Sequence, residues 1–274
     1  MDNILVPIDF SETSSYALEV AAKIAKEQNA HITVLHMLGL SEAIFTKDET
    51  QEYHEAKYYM ELAKKRFTSF LDQPYLKGLA IKQIVQNYKI FSELNNVCHE
   101  HNIDLIVMGS HGTKGVSELF VGSNTEKVVR TSDVPVLVIK EQNPTFKIKK
   151  IVFACSFKDD SILAFKKALD FAHKFSAKLL PIYINTPYND FMSTKEIDER
   201  ISKFMFKAGE PNKDVYIYND YSVELGLFNY SKKEEIDVLA IPTHGRKGLS
   251  HFFLGSIGED VANHANLPVI TFKL

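Results

Sequence analysis

The stretch DLIVMGSHGTKGVSELFVGS, residues 104–123, returns later in the chain as DVLAIPTHGRKGLSHFFLGS, residues 237–256. The two copies are offset by 133 residues, and the offset holds without a gap to the end of the chain. Near the start of each half, ILVPIDF at 4–10 matches IVFACSF at 151–157 with an offset of 147 residues. A repeat of this length predicts one fold present twice in tandem, and the second copy is shorter by 14 residues.

A polar stretch, EQNPT at residues 141–145, lies between the two copies, and its Pro144 resists helix formation. The length of 274 residues suits two domains of about 100–150 residues each. We therefore expect one domain at residues 1–141 and a second at 147–274.

Each copy alternates short apolar runs with longer segments whose apolar residues recur every three or four positions. The runs are apolar throughout, as in a parallel sheet covered by helices on both faces. The fold class predicted is α/β, with two tandem, doubly wound, five-stranded parallel sheets. The first copy has predicted strands at 4–8, 31–38, 79–85, 103–108 and 134–139, and predicted later helices at 50–71, 91–100 and 124–130. Polar caps at 11–14 begin its first helix, whose apolar positions are Ala17, Val20, Ala21, Ile24 and Ala25.

Composition argues against several classes of protein. With 45% hydrophobic and 24% charged residues the chain is of the folded globular type. A net charge of −3 lacks the basic excess that nucleic-acid binding requires. Cys98 and Cys155 form no disulfide framework or metal spacing, which favours buried thiols in a reducing compartment. The apolar runs are strand-sized and the N-terminus has no targeting pattern, so we expect a cytoplasmic protein without a membrane span.

Ligands of open parallel sheets bind beyond the carboxyl ends of the strands, where the strand order reverses. Two strand orders remain open for this chain, 2-1-3-4-5 and a relative in which strand 1 lies beside strand 4. In the second arrangement, Asp9 at the end of strand 1 and Gly109 at the end of strand 4 are neighbours across a crevice.

The loop after strand 4 runs from Gly109 to Gly115 and leads, nine residues beyond Gly112, to Gly122 and a short helix. Glycines let a backbone approach a phosphate, and a helix N-terminus offers free N–H groups with a partial positive charge. The same glycines also suit ordinary turns, and Ser123 suits an ordinary N-cap. The chain contains no G-x-G-x-x-G dinucleotide motif and no G-x-x-x-x-G-K-[ST] phosphate loop, which argues against NAD enzymes and P-loop NTPases.

Pro7-x-Asp9 together with Gly109-x-x-Gly112-(x9)-Gly122-Ser123 resembles the ATP-binding subgroup of universal stress proteins, and the likeness covers the whole chain as two copies. The resemblance implies Rossmann-like, nucleotide-binding α-hydrolase-like domains packed as a pseudo-dimer through their fifth strands, 135–139 and 268–272. It implies ATP as the ligand and leaves Mg²⁺ open. It also implies that Asp9 contacts the nucleoside, the backbone near Met37 meets the adenine edge and the glycine loop with Ser123 holds the phosphates. The candidate site residues are Pro7, Asp9, Met37, Gly109, His111, Gly112, Gly122, Ser123, Asn124 and Thr125.

Two of these residues have alternative interpretations. Asp9 could instead serve as a helix N-cap or as a partner of the helix dipole. His111, which recurs as His244 in the second copy, could touch a ligand or only brace its loop. The pair His99 and His101 has no third ligand nearby in the sequence, which argues against a metal site.

The second copy departs from the motif. Ser156 stands where the first copy has Asp9, and Pro242 replaces Gly109, which removes one N–H donor. Gly245, Gly255 and Ser256 remain. We expect the second domain to act mainly as a partner domain with a vacant or altered pocket.

The leading hypothesis is a stress-response regulator or sensor that binds ATP or a related adenine nucleotide in its first domain. The sequence offers no positioned base and no arginine finger, so we expect no enzyme, or at most slow ATP hydrolysis. The alternative is a non-nucleotide interaction scaffold that binds protein partners or a small apolar ligand. Protein partners stay unidentified, and a homodimer of the whole chain stays open.

Overall fold

The computed structural model describes residues 1–38, 49–86, 94–110, 123–243 and 267–274. The chain divides into two compact units, with the boundary between Pro144 and Thr145. We call the described residues up to Pro144 unit 1 and the described residues from Thr145 unit 2. Each is an α/β unit built around a parallel sheet, which confirms the predicted fold class.

The described residues of unit 1 form five strands and four α-helices that alternate along the chain. The strands are β1 (Asn3–Ile8), β2 (His31–Met37), β3 (Ile81–Gln86), β4 (Leu105–Gly109) and β5 (Val136–Ile139). The helices are α1 (Glu12–Gln28), α2 (Glu49–Phe70), α3 (Leu94–Glu100) and α4 (Ser123–Thr131). These bounds lie within a few residues of the predicted ones. The predicted start of the third helix at 91–93 lies outside the described residues.

The ends and the buried face of helix α1 follow from its sequence. Ser11 is its N-cap, and the Ser11 hydroxyl accepts a hydrogen bond from the backbone N–H of Ser14. The helix ends at Gln28, and its C-cap is Asn29 in the left-handed conformation, which asparagine adopts more readily than most residues. The five apolar positions predicted to face the core are all buried. This face packs on β4 and β1, so α1 lies across the centre of the sheet.

The strand order of unit 1 is β3-β2-β1-β4-β5, and all neighbouring strands are parallel. Strand 1 therefore lies beside strand 4, and the 2-1-3-4-5 alternative is wrong. The register pairs of β1 with β4 are Ile4↔Leu105 and Leu5↔Ile106, whereas those with β2 continue to Ile8↔His36. The pairing of β1 with β4 thus ends before the carboxyl ends of the two strands, at the point where strand order reverses and where ligands of such sheets bind.

Unit 2 repeats this arrangement. Its strands are β6 (Lys150–Ala154), β7 (Lys178–Asn185), β8 (Tyr216–Asn219), β9 (Val238–Thr243) and β10 (Val269–Lys273), in the order β10-β9-β6-β7-β8. Its described helices are α5 (Ile162–Lys174), α6 (Thr194–Ala208) and α7 (Val223–Glu234). Counted from the first strand of each unit, both sheets have the order 3-2-1-4-5. The predicted pairing of the two fifth strands stays a prediction.

The edge strands correct one expectation. All strands were expected to be buried on both faces, but β3 and β8 carry only half-buried and exposed side chains. Each has a neighbouring strand on one side, β2 and β7 respectively. Helices cover an edge strand less completely than a central one, so the polar Lys82 and Gln83 of β3 are accommodated in water.

The repeat extends to a hydrogen-bonding device at the start of each sheet. The Asp104 carboxylate precedes β4, and its Oδ2 accepts from the backbone N–H groups of Asp2, at 2.6 Å, and Asn3, at 3.1 Å. In unit 2, Asp237 Oδ2 accepts from the N–H groups of Lys149, at 2.8 Å, and Lys150, at 2.9 Å. In each unit, one aspartate before the fourth strand therefore holds the start of the first strand beside it.

We expect Asp104→Ala and Asp237→Ala each to lower the free energy of unfolding by about 1–2 kcal/mol, because each leaves two backbone donors without their charged acceptor. The two losses should add, since the sites share no hydrogen-bond partner. Urea unfolding of the single and double variants measures both effects. Asp→Asn at each site keeps an acceptor oxygen and should cost less than alanine, and equal losses for the two replacements would contradict this account.

Candidate functional site

The turn that follows β1 is organised around the Asp9 carboxylate. Asp9 Oδ1 accepts from the backbone N–H of Ser11, at 3.1 Å, and from the hydroxyl of Ser14, at 2.5 Å. The Asp9 N–H lies 3.3 Å from the Ser14 hydroxyl oxygen. The N-cap of α1 is Ser11 and not Asp9, so the N-cap interpretation of Asp9 is wrong. Asp9 instead closes the turn between β1 and α1, and its side chain is held at the carboxyl end of the central strand.

Phe10 follows Asp9 with a left-handed backbone, φ 63°. This conformation is sterically unfavourable for a bulky residue, so favourable packing of the side chain must compensate for it. The Phe10 ring has centroid distances of 4.5 Å to His36, 5.4 Å to Phe67 and 5.5 Å to Phe70. The Arg66 guanidinium carbon lies 5.8 Å from the same ring centroid. We call Phe10, His36, Phe67 and Phe70 the aromatic cluster; it holds the residue beside Asp9 in its strained turn.

His36 is a site residue that the sequence reasoning missed. It lies in β2, and its Nδ1 is 2.9 Å from the backbone carbonyl oxygen of Ile8, the residue before Asp9. The ring is half-buried against Phe10 and Phe67. Burial lowers the pKa of His36 below its ordinary value, with a contribution from Arg66, while the Ile8 carbonyl and Asp9 oppose the shift. The available signal was a histidine inside an otherwise apolar strand, which needs a partner when it is buried.

The lowered pKa of His36 predicts a pH dependence of stability. The unfolded histidine titrates near 6.5, so below that pH the unfolded chain binds a proton that the folded chain resists. The stability that comes from keeping His36 neutral is therefore fully present above about pH 6.5. It is lost as the pH falls from there toward the pKa of His36 in the folded chain. Urea unfolding at pH 7.5, 6.5 and 5.5 should therefore show falling stability. The slope should be smaller for His36→Asn, and identical slopes for the two proteins would contradict the assignment.

Pro7 and Met37 lie where the central strands stop pairing. Pro7 is half-buried in β1, beyond the register pairs that join β1 to β4. Proline has no N–H to donate, so it fits a position where that ladder has ended. Met37 is the last residue of β2, one residue beyond the Ile8↔His36 pair, while the next N–H, of Leu38, still bonds to the Gln86 carbonyl. The Met37 backbone thus lies at the carboxyl end of β2, just beyond its last pair with β1.

Gly109 ends β4, and the structure gives its lack of a side chain a packing reason. A Cβ at this position would lie 2.8 Å from both the carbonyl carbon and the carbonyl oxygen of Thr13. The first turn of α1 therefore approaches the end of β4 as closely as a glycine permits. Thr13 Oγ1 is in turn 3.1 Å from the hydroxyl of Ser11, whose N–H bonds to Asp9. A short chain of contacts thus connects Gly109 to Asp9.

Thr125 is buried, and its hydroxyl donates to the Gly109 carbonyl oxygen at 2.8 Å. In this arrangement the hydroxyl proton is not available to a phosphate, so the structure gives Thr125 the role of fixing the start of α4 to the end of β4. Ser123 begins α4, and Asn124 is exposed. Gly112 and Gly122, which were expected to hold the phosphates, lie outside the described residues, as does His111, for which ligand contact and a bracing role were both open.

The equivalent turn of unit 2 has a different chemistry. Ser156 is exposed, and Phe157 again has a left-handed backbone, φ 54°, with its N–H bonded to Cys155 Sγ at 3.1 Å. Burial raises the pKa of Cys155 to about 11, so the thiol is protonated at neutral pH. Ser161, the counterpart of Ser14, donates to Asp160. Pro242 lies half-buried in β9, and Gly245, Gly255 and Ser256 lie outside the described residues.

In the described parts of the chain, no group of three or more histidine, cysteine, aspartate or glutamate side chains is placed to hold a metal ion. The helices that the structure describes include none with the length and apolar character needed to cross a bilayer.

Comparison with known proteins gives a consistent result. A model described as the Universal stress protein family matches residues 1–140 and again residues 147–273. Universal stress protein YxiE of Bacillus subtilis is 31% identical over 147 residues, which cover 51% of this chain and 99% of YxiE. Universal stress protein Slr1230 of Synechocystis is 24% identical over 299 residues, which cover all of both chains. A solved universal stress protein from Archaeoglobus fulgidus has a TM-score of 0.60 and 19% identity, covering 99% of this chain and 96% of that one.

Proposed function

Because the chain belongs to the universal stress protein family, we propose that unit 1 binds ATP or a related adenine nucleotide and that the protein acts as a stress-response regulator or sensor. The observation that carries the proposal is the place of Asp9. Its carboxylate is fixed at the carboxyl end of β1, where the pairing of β1 with β4 has ended. Residues 1–141 and 147–274 are the proposed domain limits, and the unit boundary between Pro144 and Thr145 supports them.

The chemistry around Asp9 suits a nucleotide. A carboxylate is a strong acceptor for the hydroxyls of a ribose, and the Met37 backbone lies at the carboxyl end of the neighbouring strand, β2. Helix α4 begins at Ser123, and a helix N-terminus carries N–H groups and a partial positive charge suited to phosphate. Thr125 ties that helix to Gly109 at the end of β4. Sugar, base and phosphate groups would therefore each have a chemically suitable neighbour.

The proposal is binding with at most slow hydrolysis. The sequence contains no phosphate loop with its lysine and magnesium-binding serine or threonine. Contacts that hold the ground state equally well as the transition state lower the dissociation constant without raising the rate. Mg²⁺ could accompany the phosphates, and titrations with and without it belong to the test.

Thermal unfolding in the presence of ATP tests the proposal. At a ligand concentration of about 100 times Kd, binding should add about 2.7 kcal/mol to the free energy of unfolding. The shift should be retained in Ser156→Ala, which alters the equivalent position of unit 2. An unfolding temperature that does not respond to millimolar ATP, with or without Mg²⁺, would contradict the proposal.

A second candidate function is an interaction scaffold for protein partners or a small apolar ligand. It is favoured by three aromatic side chains of unit 2 that are largely exposed, Tyr188 at 90%, Tyr221 at 85% and Phe206 at 76%. Aromatic side chains are enriched at protein interfaces. Denaturing freshly purified protein and identifying what is released separates the candidates. An adenine nucleotide supports the first function, and an apolar molecule or a co-purifying protein supports the second.

A further inference from the structure

The two residues that flank Asp9 in the chain are both held by one side chain. His36 Nδ1 lies 2.9 Å from the carbonyl oxygen of Ile8, and the His36 ring lies 4.5 Å from the Phe10 ring, centroid to centroid. A peptide plane before Asp9 and a side chain after it are thereby fixed to β2. Because the direction of a side chain follows from the backbone on both sides of it, His36 restricts where the Asp9 carboxylate can point.

The hydrogen bond to the Ile8 carbonyl also determines which nitrogen of the neutral His36 ring carries the proton. A carbonyl oxygen accepts hydrogen bonds and donates none, so Nδ1 carries the proton and Nε2 is the lone-pair nitrogen of the neutral ring. The ring also lies edge-on to Phe67, 6.4 Å from centroid to centroid, and Phe67 is only 1% exposed. His36 is thus a fixed donor toward the end of β1.

Unit 2 provides an internal comparison within the same chain. At the repeat offset of 147 residues, Tyr183 stands at the position of His36 and Ser156 at the position of Asp9. The Tyr183 ring lies 6.4 Å from the Phe157 ring, centroid to centroid, and the Tyr183 hydroxyl donates to Met192 Sδ at 3.4 Å. The unit that has lost the carboxylate therefore also has a different residue in place of the histidine that braces it.

We infer that His36 is a positioning residue for nucleotide recognition: by holding Ile8 and Phe10 it aims the Asp9 carboxylate at a hydroxyl of the bound sugar. The inference rests on the proposed function of unit 1. It assigns His36 no contact with the nucleotide. Replacing His36 should therefore change only the part of the nucleotide affinity that comes from the sugar hydroxyl.

Calorimetric titration of the full chain with ATP, 2′-deoxy-ATP and 3′-deoxy-ATP tests the inference. The wild-type chain should bind ATP at least about 10-fold more tightly than one of the deoxy nucleotides, as expected for a hydrogen bond to a charged acceptor. In His36→Leu this preference should fall to within about twofold of unity. In His36→Asn, whose side-chain amide nitrogen occupies the place of Nδ1, it should stay within about threefold of the wild type.

His36→Gln and Tyr183→Phe complete the design. The glutamine amide lies one bond farther out than Nδ1, so His36→Gln should lose the preference although it is as polar as the asparagine variant, which decides the matter if the leucine variant fails to fold. Tyr183→Phe should bind like the wild type. Unchanged preference for ATP in His36→Leu and His36→Gln, with wild-type binding intact, would overturn the role of His36 alone. Absence of ATP binding by the wild type would overturn the proposed function and this inference with it.

Discussion

Asp9→Asn is expected to weaken ATP binding by about 10–100-fold while the chain stays folded. The asparagine keeps an oxygen that can accept from the Ser11 N–H and the Ser14 hydroxyl, so the turn after β1 retains the two contacts that Asp9 Oδ1 makes. It loses the negative charge and exchanges one acceptor for a donor. A hydrogen bond to a charged group contributes about 1.5–3 kcal/mol, which corresponds to the stated loss. Calorimetric titration with ATP measures it.

Asp9→Ala separates binding from folding by comparison with the asparagine variant. Alanine removes the turn contacts as well, so it should lower both ATP affinity and the free energy of unfolding, the latter by about 1–3 kcal/mol. Ser156→Ala is the matched control in unit 2 and should change neither quantity. Wild-type affinity in Asp9→Asn would exclude Asp9 from the binding site, and an equal loss in Ser156→Ala would move the site to unit 2.

The sequence predicted the architecture well because the repeat and the apolar runs are local signals with a direct physical meaning. A run such as residues 105–108 has few structures open to it other than a buried strand, and two copies of one motif require two copies of one sheet. Strand order is different. It depends on which loops cross which face, so it stayed open between two arrangements until the pairing of β1 with β4 decided it.

The site was predicted less completely, because contacts between distant residues leave little trace in a single sequence. Asp9 was identified as a site residue, but its bonds to Ser11 and Ser14 follow from the geometry of the turn. His36 has its role because β2 lies beside β1, and the hydrogen bond to Ile8 spans 28 residues. Thr125 was among the candidate site residues, but its buried hydroxyl bonds to the backbone carbonyl of Gly109.

Gly109 shows how one residue can satisfy two interpretations. Its place in the motif indicated a loop whose backbone a phosphate can approach. The structure shows that the first turn of α1 also approaches Gly109 closely. The two interpretations require different properties of Gly109. A phosphate site needs a free backbone N–H near the loop, whereas the packing of α1 needs the missing Cβ itself. Replacing Gly109 therefore tests first the contact between α1 and β4.

Gly109→Ala is expected to lower the free energy of unfolding by about 2–3 kcal/mol. The new methyl group would lie 2.8 Å from backbone atoms of Thr13, and backbone cannot move aside as a flexible side chain can. Helix α1 must shift away from β4, and it carries Ser14, which bonds to Asp9, so ATP affinity should fall as well. Urea unfolding and calorimetric titration of the same variant measure the two effects together.

The matched control for Gly109→Ala is Pro242→Ala, because the equivalent position of unit 2 already carries a Cβ. That replacement should change the free energy of unfolding by less than about 1 kcal/mol, the usual effect of a proline on the unfolded chain. If Gly109→Ala unfolds at the same urea concentration as the wild type, then α1 does not press against β4. The glycine would then be required by the ligand alone, and ATP affinity would be the quantity that falls.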